Sequence, residues 1–348
     1  MCPKTVTKRQ RCSLASHTSG WWISGGGAQP LSVTLRTDIA SSELGDGTVE
    51  IAVEYSAVNY KDALALEGSP GVVRTSPLIP GIDAVGTVTS CTDGRFSAGD
   101  SVILTGWGYG EQRHGGLATS LRADSQHLIA LPPGLSALQA ATLGTAGFTA
   151  ALAVAKLQGA GVTPGASDLP IAVTGAAGAV GSCAVYLLAE AGFTVTAITG
   201  RTDEADYLRS LGAHSVVSRQ EILTLAGKPL AKEQFAGVLD QAGGTLLATV
   251  LSMLAPDGVA VAAGLAGGSD LPTTVMPFIL RGVSLLGVNS VTQPSVIRAE
   301  AWDLWATHAT RFPWESVTNM IPLAEAREIA PTVIAGATRG RVVVNVNA

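Results

Sequence analysis

The sequence contains little charge: Asp, Glu, Lys and Arg make up 14% of its 348 residues, and the formal net charge is −5. This balance predicts neither a nucleic-acid surface nor another polyanion partner. The sequence also lacks an uninterrupted apolar run of about 18 residues, so we predict no membrane-spanning helix and no membrane partner. With 47% hydrophobic residues, the chain can bury a large core, and its length predicts two globular domains.

Cysteine is scarce as well. The four cysteines (Cys2, Cys12, Cys91 and Cys183) are far apart and form no CxxC pair, a pattern typical of a reduced, intracellular protein. A zinc site would need Cys, His and carboxylate ligands at close spacings. The five histidines show no such grouping with the cysteines. We therefore predict no metal and a cytoplasmic location.

Acidic residues are absent before Asp38. Lys and Arg are instead interleaved with Thr in the first eleven residues, Ser follows from residue 13, and the run at 24–27 (SGGG) is typical of a flexible joint. We predict that residues 1–28 form a disordered basic leader outside the fold. Two explanations for it stay open: an organelle transit peptide, or a start codon assigned too far upstream.

The most informative feature is a glycine-rich turn between a strand and a helix. An apolar strand at 171–173 runs into Gly175, Gly178 and Gly181, and an apolar helix is predicted from 182 to 191. Glycine lets the backbone approach a pyrophosphate closely, and the free N–H groups at the start of a helix attract phosphate. The order of strand, turn and helix therefore predicts a dinucleotide site, with a purely structural loop as the alternative.

The next predicted strand ends in Thr199, Gly200 and Arg201, without the Asp or Glu that usually holds the ribose 2′-hydroxyl of NAD. A 2′-phosphate is repelled by a carboxylate and attracted by a guanidinium. We therefore predict NADPH as the cofactor. In the alternative interpretation, Arg201 is an ordinary surface charge.

Two patterns divide the rest of the chain. From about residue 30 to 130, short runs of alternating polarity are separated by Gly, Pro and Asp, which predicts a mostly β domain. Beyond residue 137, helical and strand patterns alternate, which predicts a parallel sheet. A closing strand at 341–346 is predicted to return to the first domain. We predict an α/β fold with a β-rich catalytic domain (29–145 and 303–348) and a doubly wound nucleotide domain (146–302).

Several further strings of residues form a recognisable set. They are 58–63 (VNYKDA), 79–83 (IPGID), 104–108 (LTGWG), 115–118 (GGLA), 144–150 (GTAGFTA), 207–213 (YLRSLGA) and 271–281 (LPTTVMPFILR). Together they resemble the medium-chain dehydrogenase/reductase superfamily, and within its zinc-free, quinone-oxidoreductase-like branch the acrylyl-CoA reductase group. The resemblance covers the chain from about residue 31 to Val346. It implies a GroES-like catalytic domain and a Rossmann NADP-binding domain.

The resemblance also implies an activity, the reduction of the C=C bond of acryloyl-CoA to propanoyl-CoA with NADPH. The cofactor contacts that it implies are Tyr60, Ala177, Gly178, Ala179, Val180, Thr199, Gly200, Arg201, Arg219, Leu265, Ile279, Ser290 and Arg341. The chain departs from the family at Thr199, where Ser is frequent, and at Ala179, where Gly is frequent. Ala179 then requires a backbone conformation without positive φ. The family's first strand has no clear counterpart before Gln29.

The implied reaction needs a hydrogen-bond donor for the thioester oxygen and a proton for Cα. Tyr60 is our first candidate, either for positioning the cofactor or for acid catalysis, with core packing as the alternative. Its neighbours Asn59 and Lys61 are weaker candidates. Asp83 lies in an apolar run, so we expect it to be paired or functional. For Asp83, a hydrogen-bonded structural role is an equal alternative to catalysis.

The substrate side is predicted at the glycine-rich loop 106–116, which we expect to be flexible and to form a lid or the mouth for CoA. Trp107 and Arg113 in this loop are candidate substrate contacts, Arg113 for a CoA phosphate. Arg281 is a candidate for the same role. The alternatives are a solvated loop charge for Arg113 and an internal ion pair for Arg281.

The predicted partners are an acyl-CoA substrate and a second copy of the chain. By analogy with the branch, the homodimer is expected to form through the sheet edge near residues 284–288. Two other functions stay open at this point: a quinone or other alkene reductase of the same branch, and a non-catalytic NADPH-binding protein. The strings at 59–61 (NYK) and 274–277 (TVMP) favour an enzyme.

Overall fold

The computed structural model describes residues 17–26, 29–69 and 71–348. These residues form a two-stranded hairpin, a seven-stranded sheet and a six-stranded sheet. The strands are β1 (His17–Gly26), β2 (Gln29–Ala40), β3 (Val49–Ala57), β4 (Asp83–Cys91), β5 (Ser101–Thr105), β6 (Ser120–Ala123), β7 (Leu128–Ala130), β8 (Ile171–Thr174), β9 (Val195–Thr199), β10 (Ser215–Ser218), β11 (Phe235–Asp240), β12 (Leu254–Ala262), β13 (Ser284–Gly287), β14 (Thr318–Pro322) and β15 (Arg341–Asn345).

The helices lie mainly between the strands of the six-stranded sheet. They are α1 (Tyr60–Leu66), α2 (Ala137–Gly159), α3 (Ala179–Glu190), α4 (Ala205–Ser210), α5 (Arg219–Leu223), α6 (Gly244–Leu251), α7 (Met276–Arg281), α8 (Ser295–Thr307), α9 (Trp314–Val317) and α10 (Ala330–Ile334).

The seven-stranded sheet is built around β3, which pairs antiparallel with β4, β6 and β15. Its alternating pattern buries Val49, Ile51 and Val53 on one face, as the two-residue period of a strand requires. β15 also pairs in parallel with β14. The predicted return of the chain to the first domain is confirmed.

The six-stranded sheet is entirely parallel, in the order β10-β9-β8-β11-β12-β13. This order reverses direction at β8, and in doubly wound sheets the crevice at the carboxyl ends of the strands at such a point holds the ligand. The glycine turn follows β8 directly. The predicted fold class, a β-rich domain joined to a doubly wound domain, is confirmed.

The leader prediction is wrong for residues 17–26. They form β1, which pairs antiparallel with β2, and Ile23 within it is fully buried. Trp21 Nε1 donates a hydrogen bond to the carbonyl oxygen of Leu323, 2.8 Å away. The sequence did not indicate this strand because Ser, Thr and Gly flank its short apolar run on both sides. β1 thus supplies a strand before Gln29, and the rest of the predicted leader, 1–16 and 27–28, lies outside the described residues.

α2 is a core helix. By length and composition it could cross a membrane, but 72% of its apolar window is buried inside the protein, and the described part of the chain has no second helix of this kind. The predicted domain boundary at 145/146 falls inside α2, and the boundary at 302/303 falls inside α8. Both helices therefore continue from one predicted domain into the other, and the boundaries stay a prediction.

The burial of β1 leads to a stability prediction. Ile23→Ala should lower the free energy of unfolding by about 2–5 kcal/mol, because a fully buried side chain would leave a cavity. Leu35→Ala on the paired strand is the control, since Leu35 is 39% exposed and should cost less than about 1 kcal/mol. Denaturant unfolding of both variants measures the difference, and equal effects would contradict a packed β1.

Candidate active site

The glycine turn joins β8 to α3 with very close backbone contacts. Gly175 has a φ of +59°, which favours glycine. A Cβ on Gly181 would collide with the carbonyl oxygen of Gly175. Gly178 is the N-cap of α3, and no side chain caps the N–H groups there. The start of this helix is therefore open to an anionic ligand.

Two further observations fit a dinucleotide at this turn. Ala179 is not among the residues with positive φ, so the departure from the family's glycine creates no strain. Beside Gly175, the amide of Gln241 is buried, and neither its Nε2 nor its Oε1 has a partner within the described residues. A buried polar group left without a partner costs about 1–3 kcal/mol. A bound polar ligand would satisfy this amide.

Arg201 links the turn to the segment before β15. Its guanidinium donates hydrogen bonds to the carbonyl oxygens of Ala177, Ala337 and Thr338, at 3.3, 2.9 and 2.8 Å. The alternative in which Arg201 is an ordinary surface charge does not agree with these contacts. Arg201 holds the carboxyl end of β9 against the catalytic-domain segment.

Thr199 and Gly200 shape the same end of β9. The Thr199 hydroxyl accepts a hydrogen bond from the backbone N–H of Arg201 at 3.0 Å. The guanidinium carbon of Arg219 lies 3.2 Å from where a Cβ on Gly200 would be. The guanidinium of Arg219 therefore lies against Gly200, the residue before Arg201 in the chain, and a cation there suits a phosphate.

A buried ion pair connects the starts of β4 and β15. Arg341 Nη2 donates to Asp83 Oδ2, and Arg341 Nη1 donates to Asn59 Oδ1 at 2.5 Å. Asn59 Nδ2 and the backbone N–H of Thr145 donate to Asp83 at 2.9 and 3.0 Å. Gly144 has a φ of +45°, and a Cβ there would collide with both charged groups. The helical geometry of α2 is interrupted at Gly144 for this reason.

This pairing favours the structural role for Asp83 over catalysis. The side chains of Arg341 and Asp83 are only 1% and 2% exposed, so the direct cofactor contact implied for the Arg341 side chain conflicts with its burial. Nε of Arg341 is buried without a partner among the residues described. Asn59 is likewise occupied by hydrogen bonds on both its amide atoms.

Asp62 is a second buried carboxylate in this cluster. It accepts hydrogen bonds from the backbone N–H groups of Asn59, Gly81 and Ile82 at 2.9, 3.1 and 2.9 Å. Burial raises the pKa of Asp62 to about 6, and the negative charge of Asp83 acts in the same direction, while the hydrogen bonds from Asn59 and Ile82 oppose the rise. Asp62 thus fixes the start of α1 and the approach to β4.

Tyr60 begins α1, directly after this cluster. Its side chain is 37% exposed, which disagrees with the core-packing alternative. Lys61 is engaged by Glu111, with 2.9 Å between Nζ and Oε1. Lys61 is also exposed, with 41% of its side chain accessible, but Glu111 holds its ammonium group, and Tyr60 remains our candidate.

The loop 106–116 is bonded to neighbouring segments and forms a wall of the cleft, which disagrees with the expectation of a flexible lid. Its role as the mouth for CoA stays a prediction. Backbone hydrogen bonds join Gly106 to Ile82, Trp107 to Val291 and Gly116 to Gly81, at 3.0, 3.0 and 2.8 Å. The Trp107 ring stacks on His127 with 4.7 Å between ring centres. Trp107 Nε1 is buried and has no hydrogen-bond partner within the described chain.

Arg298 of α8 holds this wall against the nucleotide domain. Its guanidinium donates to the carbonyl oxygens of Thr105, Ser290 and Val291 at 2.9, 3.1 and 2.8 Å, and lies 5.0 Å from the Trp107 ring centre. No carboxylate pairs with it among the described residues. Desolvation lowers the pKa of Arg298 to about 10, so it remains a cation at neutral pH.

The two arginines predicted to contact the CoA phosphates have different surroundings. Arg113 forms an ion pair with Asp124 at 2.7 Å, with 48% of its side chain exposed. Arg281 is turned away from the cofactor crevice. It donates to the carbonyl oxygens of Ala231 and Leu254, at the amino end of the sheet, and Glu233 lies 3.4 Å from its Nε. The substrate role for Arg281 is therefore wrong, and the internal ion pair describes it.

Two of the remaining predicted cofactor residues, Leu265 and Ser290, lie in or next to one cleft. A shallow cleft at the carboxyl ends of β12 and β13 is lined by residues 262–265 and 287–289. Leu265 and Ile279 are 58% and 71% exposed. Ser290 follows directly and is fixed through its carbonyl by Arg298. In the described ranges no three His, Cys, Asp or Glu side chains converge in a way that could hold a metal ion.

Two family models match this chain, the alcohol dehydrogenase GroES-like domain at residues 45–133 and the zinc-binding dehydrogenase domain at 179–307. It is 46% identical over 310 residues to acrylyl-CoA reductase AcuI of Ruegeria pomeroyi, covering 89% of this chain and 93% of that protein. The chain belongs to the acrylyl-CoA reductase group of the medium-chain dehydrogenase/reductase superfamily.

Two solved structures of the family are similar throughout. Escherichia coli K-12 YhdH with bound NADPH has a TM-score of 0.89 and 44% identity, covering 94% of this chain and 100% of that one. Bacillus subtilis YhfP with bound NAD has a TM-score of 0.88 and 39% identity, covering 95% and 100%. YhfP is described as a putative quinone oxidoreductase. Of these two members of the family, one thus holds NADPH and the other holds NAD.

Three residues of the site were not singled out from the sequence: Asp62, Thr145 and Arg298. Asp62 follows Asn59 at the spacing of a capping box, which is a readable signal. Arg298 shares a helical face with the buried Trp302 and Trp305, so its burial was readable from the spacing. Thr145 gave no signal, because its partner Asp83 is 62 residues away.

Asp62 should make stability depend on pH. Because its folded pKa of about 6 is above the unfolded value of 3.8, the unfolded chain releases this proton first as pH rises. Protonated Asp62 therefore contributes on the order of 3 kcal/mol to the free energy of unfolding at low pH, and this contribution is lost as the pH rises from about 4 to 6. Urea unfolding across this pH range should show a smaller loss of unfolding free energy for Asp62→Asn than for the native protein. Asp206→Asn, at a fully exposed carboxylate, is the control and should keep the native slope.

Proposed function

We propose that this protein reduces the C=C bond of acryloyl-CoA to give propanoyl-CoA, with NADPH as the reductant. The observation that carries the proposal is the 46% identity to acrylyl-CoA reductase AcuI over both domains. The two arginines at the end of β9 suit a 2′-phosphate, and the similar YhdH structure holds NADPH. The protein is an NADP(H)-dependent oxidoreductase of its superfamily.

The reaction places a hydride on Cβ, negative charge on the thioester oxygen and then a proton on Cα. NADPH supplies the hydride when it is bound. The chain must supply a water-poor cleft and donors for the oxygen, and removing one such donor typically costs about 3 kcal/mol. The exposed Tyr60 hydroxyl is our candidate donor, and the wall at Trp107 bounds the cleft.

The other residues of the cleft bind the cofactor or keep the cleft in its shape. Ala177, Gly178, Ala179 and Val180 would meet the pyrophosphate, because they form the turn and the first helical N–H groups. Leu265, Ile279 and Ser290 are proposed for the nicotinamide side. Asn59 and Asp83 act through Arg341 on the shape of the cleft, so they are positioning residues.

Substrate identity is tested by following the loss of NADPH absorbance with acryloyl-CoA, crotonyl-CoA and a benzoquinone. We expect acryloyl-CoA to give the highest kcat/KM. Turnover of the quinone alone would favour the quinone reductase that the name of YhfP suggests. Binding of NADPH without any turnover would favour a non-catalytic protein.

Tyr60→Phe separates two roles of the same side chain. If the hydroxyl donates a proton or a hydrogen bond in the transition state, kcat should fall by about 100-fold or more while NADPH affinity stays. If Tyr60 only positions the cofactor through its ring, Tyr60→Phe should be nearly silent and Tyr60→Ala should weaken NADPH binding. We expect the first result with acryloyl-CoA.

We also propose a cytoplasmic homodimer. β13 is the edge strand of the parallel sheet, and Val275 and Leu280, on the segment that leads into it, are 65% and 59% exposed. An unpaired edge with apolar neighbours suits a second copy of the chain. Sedimentation should give twice the chain mass, and a monomer at micromolar concentration would reject the dimer.

A further inference from the structure

A third arginine lies at the end of β9, contributed by the catalytic-domain segment. Arg339 precedes β15, and its guanidinium carbon is 5.2 Å from the ring centre of Tyr207. Its Nη1 is 3.4 Å from Glu204 Oε2. The other oxygen of Glu204 is 3.7 Å from Nη1 of Arg201. Arg201, Glu204 and Arg339 therefore form one contiguous cluster, and Arg219 borders it at Gly200.

The backbone on both sides of Arg339 is bonded to the cofactor turn and strand end. Gly340 N–H donates to the carbonyl oxygen of Ala177 at 3.0 Å, and Arg201 binds the carbonyl oxygen of Thr338. The position of Arg339 is thus fixed relative to the turn. Its side chain is 53% exposed, so it can be reoriented toward a ligand without breaking the core.

Glu204 is held loosely by these arginines. Charge-assisted N–H···O contacts are usually about 2.7–2.9 Å long, and the two contacts of Glu204 are 3.4 and 3.7 Å. A phosphate carries more charge than a carboxylate and offers three acceptor oxygens. It would therefore compete well for the same guanidinium groups.

We propose that Arg339 is a further specificity residue for the cofactor. With Arg201 and Arg219 it binds the 2′-phosphate of NADPH, and Glu204 is the counter-ion that Arg339 gives up when that phosphate arrives. NADH has no such phosphate, so the pair of Arg339 and Glu204 persists when NADH binds. The proposal rests on NADP(H) as the cofactor and is independent of the acyl-CoA substrate.

Titrations of NADPH and NADH fluorescence, without any acyl-CoA, test this assignment. Arg339→Gln should raise the Kd of NADPH by about 5- to 20-fold and leave that of NADH within about twofold. Glu204→Gln should act in the opposite direction and tighten NADPH by about two- to fivefold, because it removes a competing carboxylate. Arg339→Lys keeps the charge and should recover part of the affinity.

Arg209→Gln is the matched control. Arg209 lies on α4, is 58% exposed in its side chain and pairs only with Asp206 among the described residues, so the same charge change should alter neither Kd beyond about twofold. Thermal unfolding checks that each variant is folded. Equal weakening of NADPH and NADH by Arg339→Gln, or no change in either, would overturn the assignment. Weaker NADPH binding in Glu204→Gln would overturn the counter-ion role. Failure to turn over acryloyl-CoA affects neither result.

Discussion

The buried ion pair of Asp83 and Arg341 is the constraint on which the shape of the cleft depends. Removing one member of such a pair typically costs about 3–5 kcal/mol, because the other charge is left buried. The same carboxylate receives the Thr145 N–H in the interrupted helix α2 and the amide of Asn59 ahead of α1. One group therefore sets the relative positions of two strands of the catalytic sheet, the helix that continues into the nucleotide domain, and Tyr60.

Arg298 holds the opposite wall of the cleft in place, but without a carboxylate partner among the described residues. Its charge is compensated by carbonyl oxygens and by the rings of Trp107 and Phe148, at 5.0 and 4.8 Å. In a chain where only 14% of residues are charged, several of the arginines are thus used inside the cleft or at its border. The low overall charge of the chain therefore does not make the cleft uncharged.

Local patterns were sufficient for most of the fold and for the cofactor half of the site. The strand, glycine turn and helix around Gly178 are contiguous in sequence, and so are Thr199 and Arg201, so their geometry follows from the order of residues. Contacts between distant segments were not readable in this way. Arg281 ends an apolar helix whose sequence does not reveal which end of the sheet it faces, and β1 is identified only through its pairing with β2. The loop at Trp107 has the composition of a mobile segment, and its rigidity comes from Ile82 and Val291, far along the chain.

The separation of Asp83 from Arg341 also matters during synthesis. The two residues are 258 positions apart, so at about 5–20 residues per second the carboxylate waits roughly 13–50 s for its partner on the ribosome. During that interval the glycine turn and the parallel sheet have already been made, while the catalytic sheet still lacks β15. Until then Asp83 lacks the guanidinium that pairs with it in the folded protein. We therefore expect the nucleotide domain to fold first and the cleft to close only after β15 has been made.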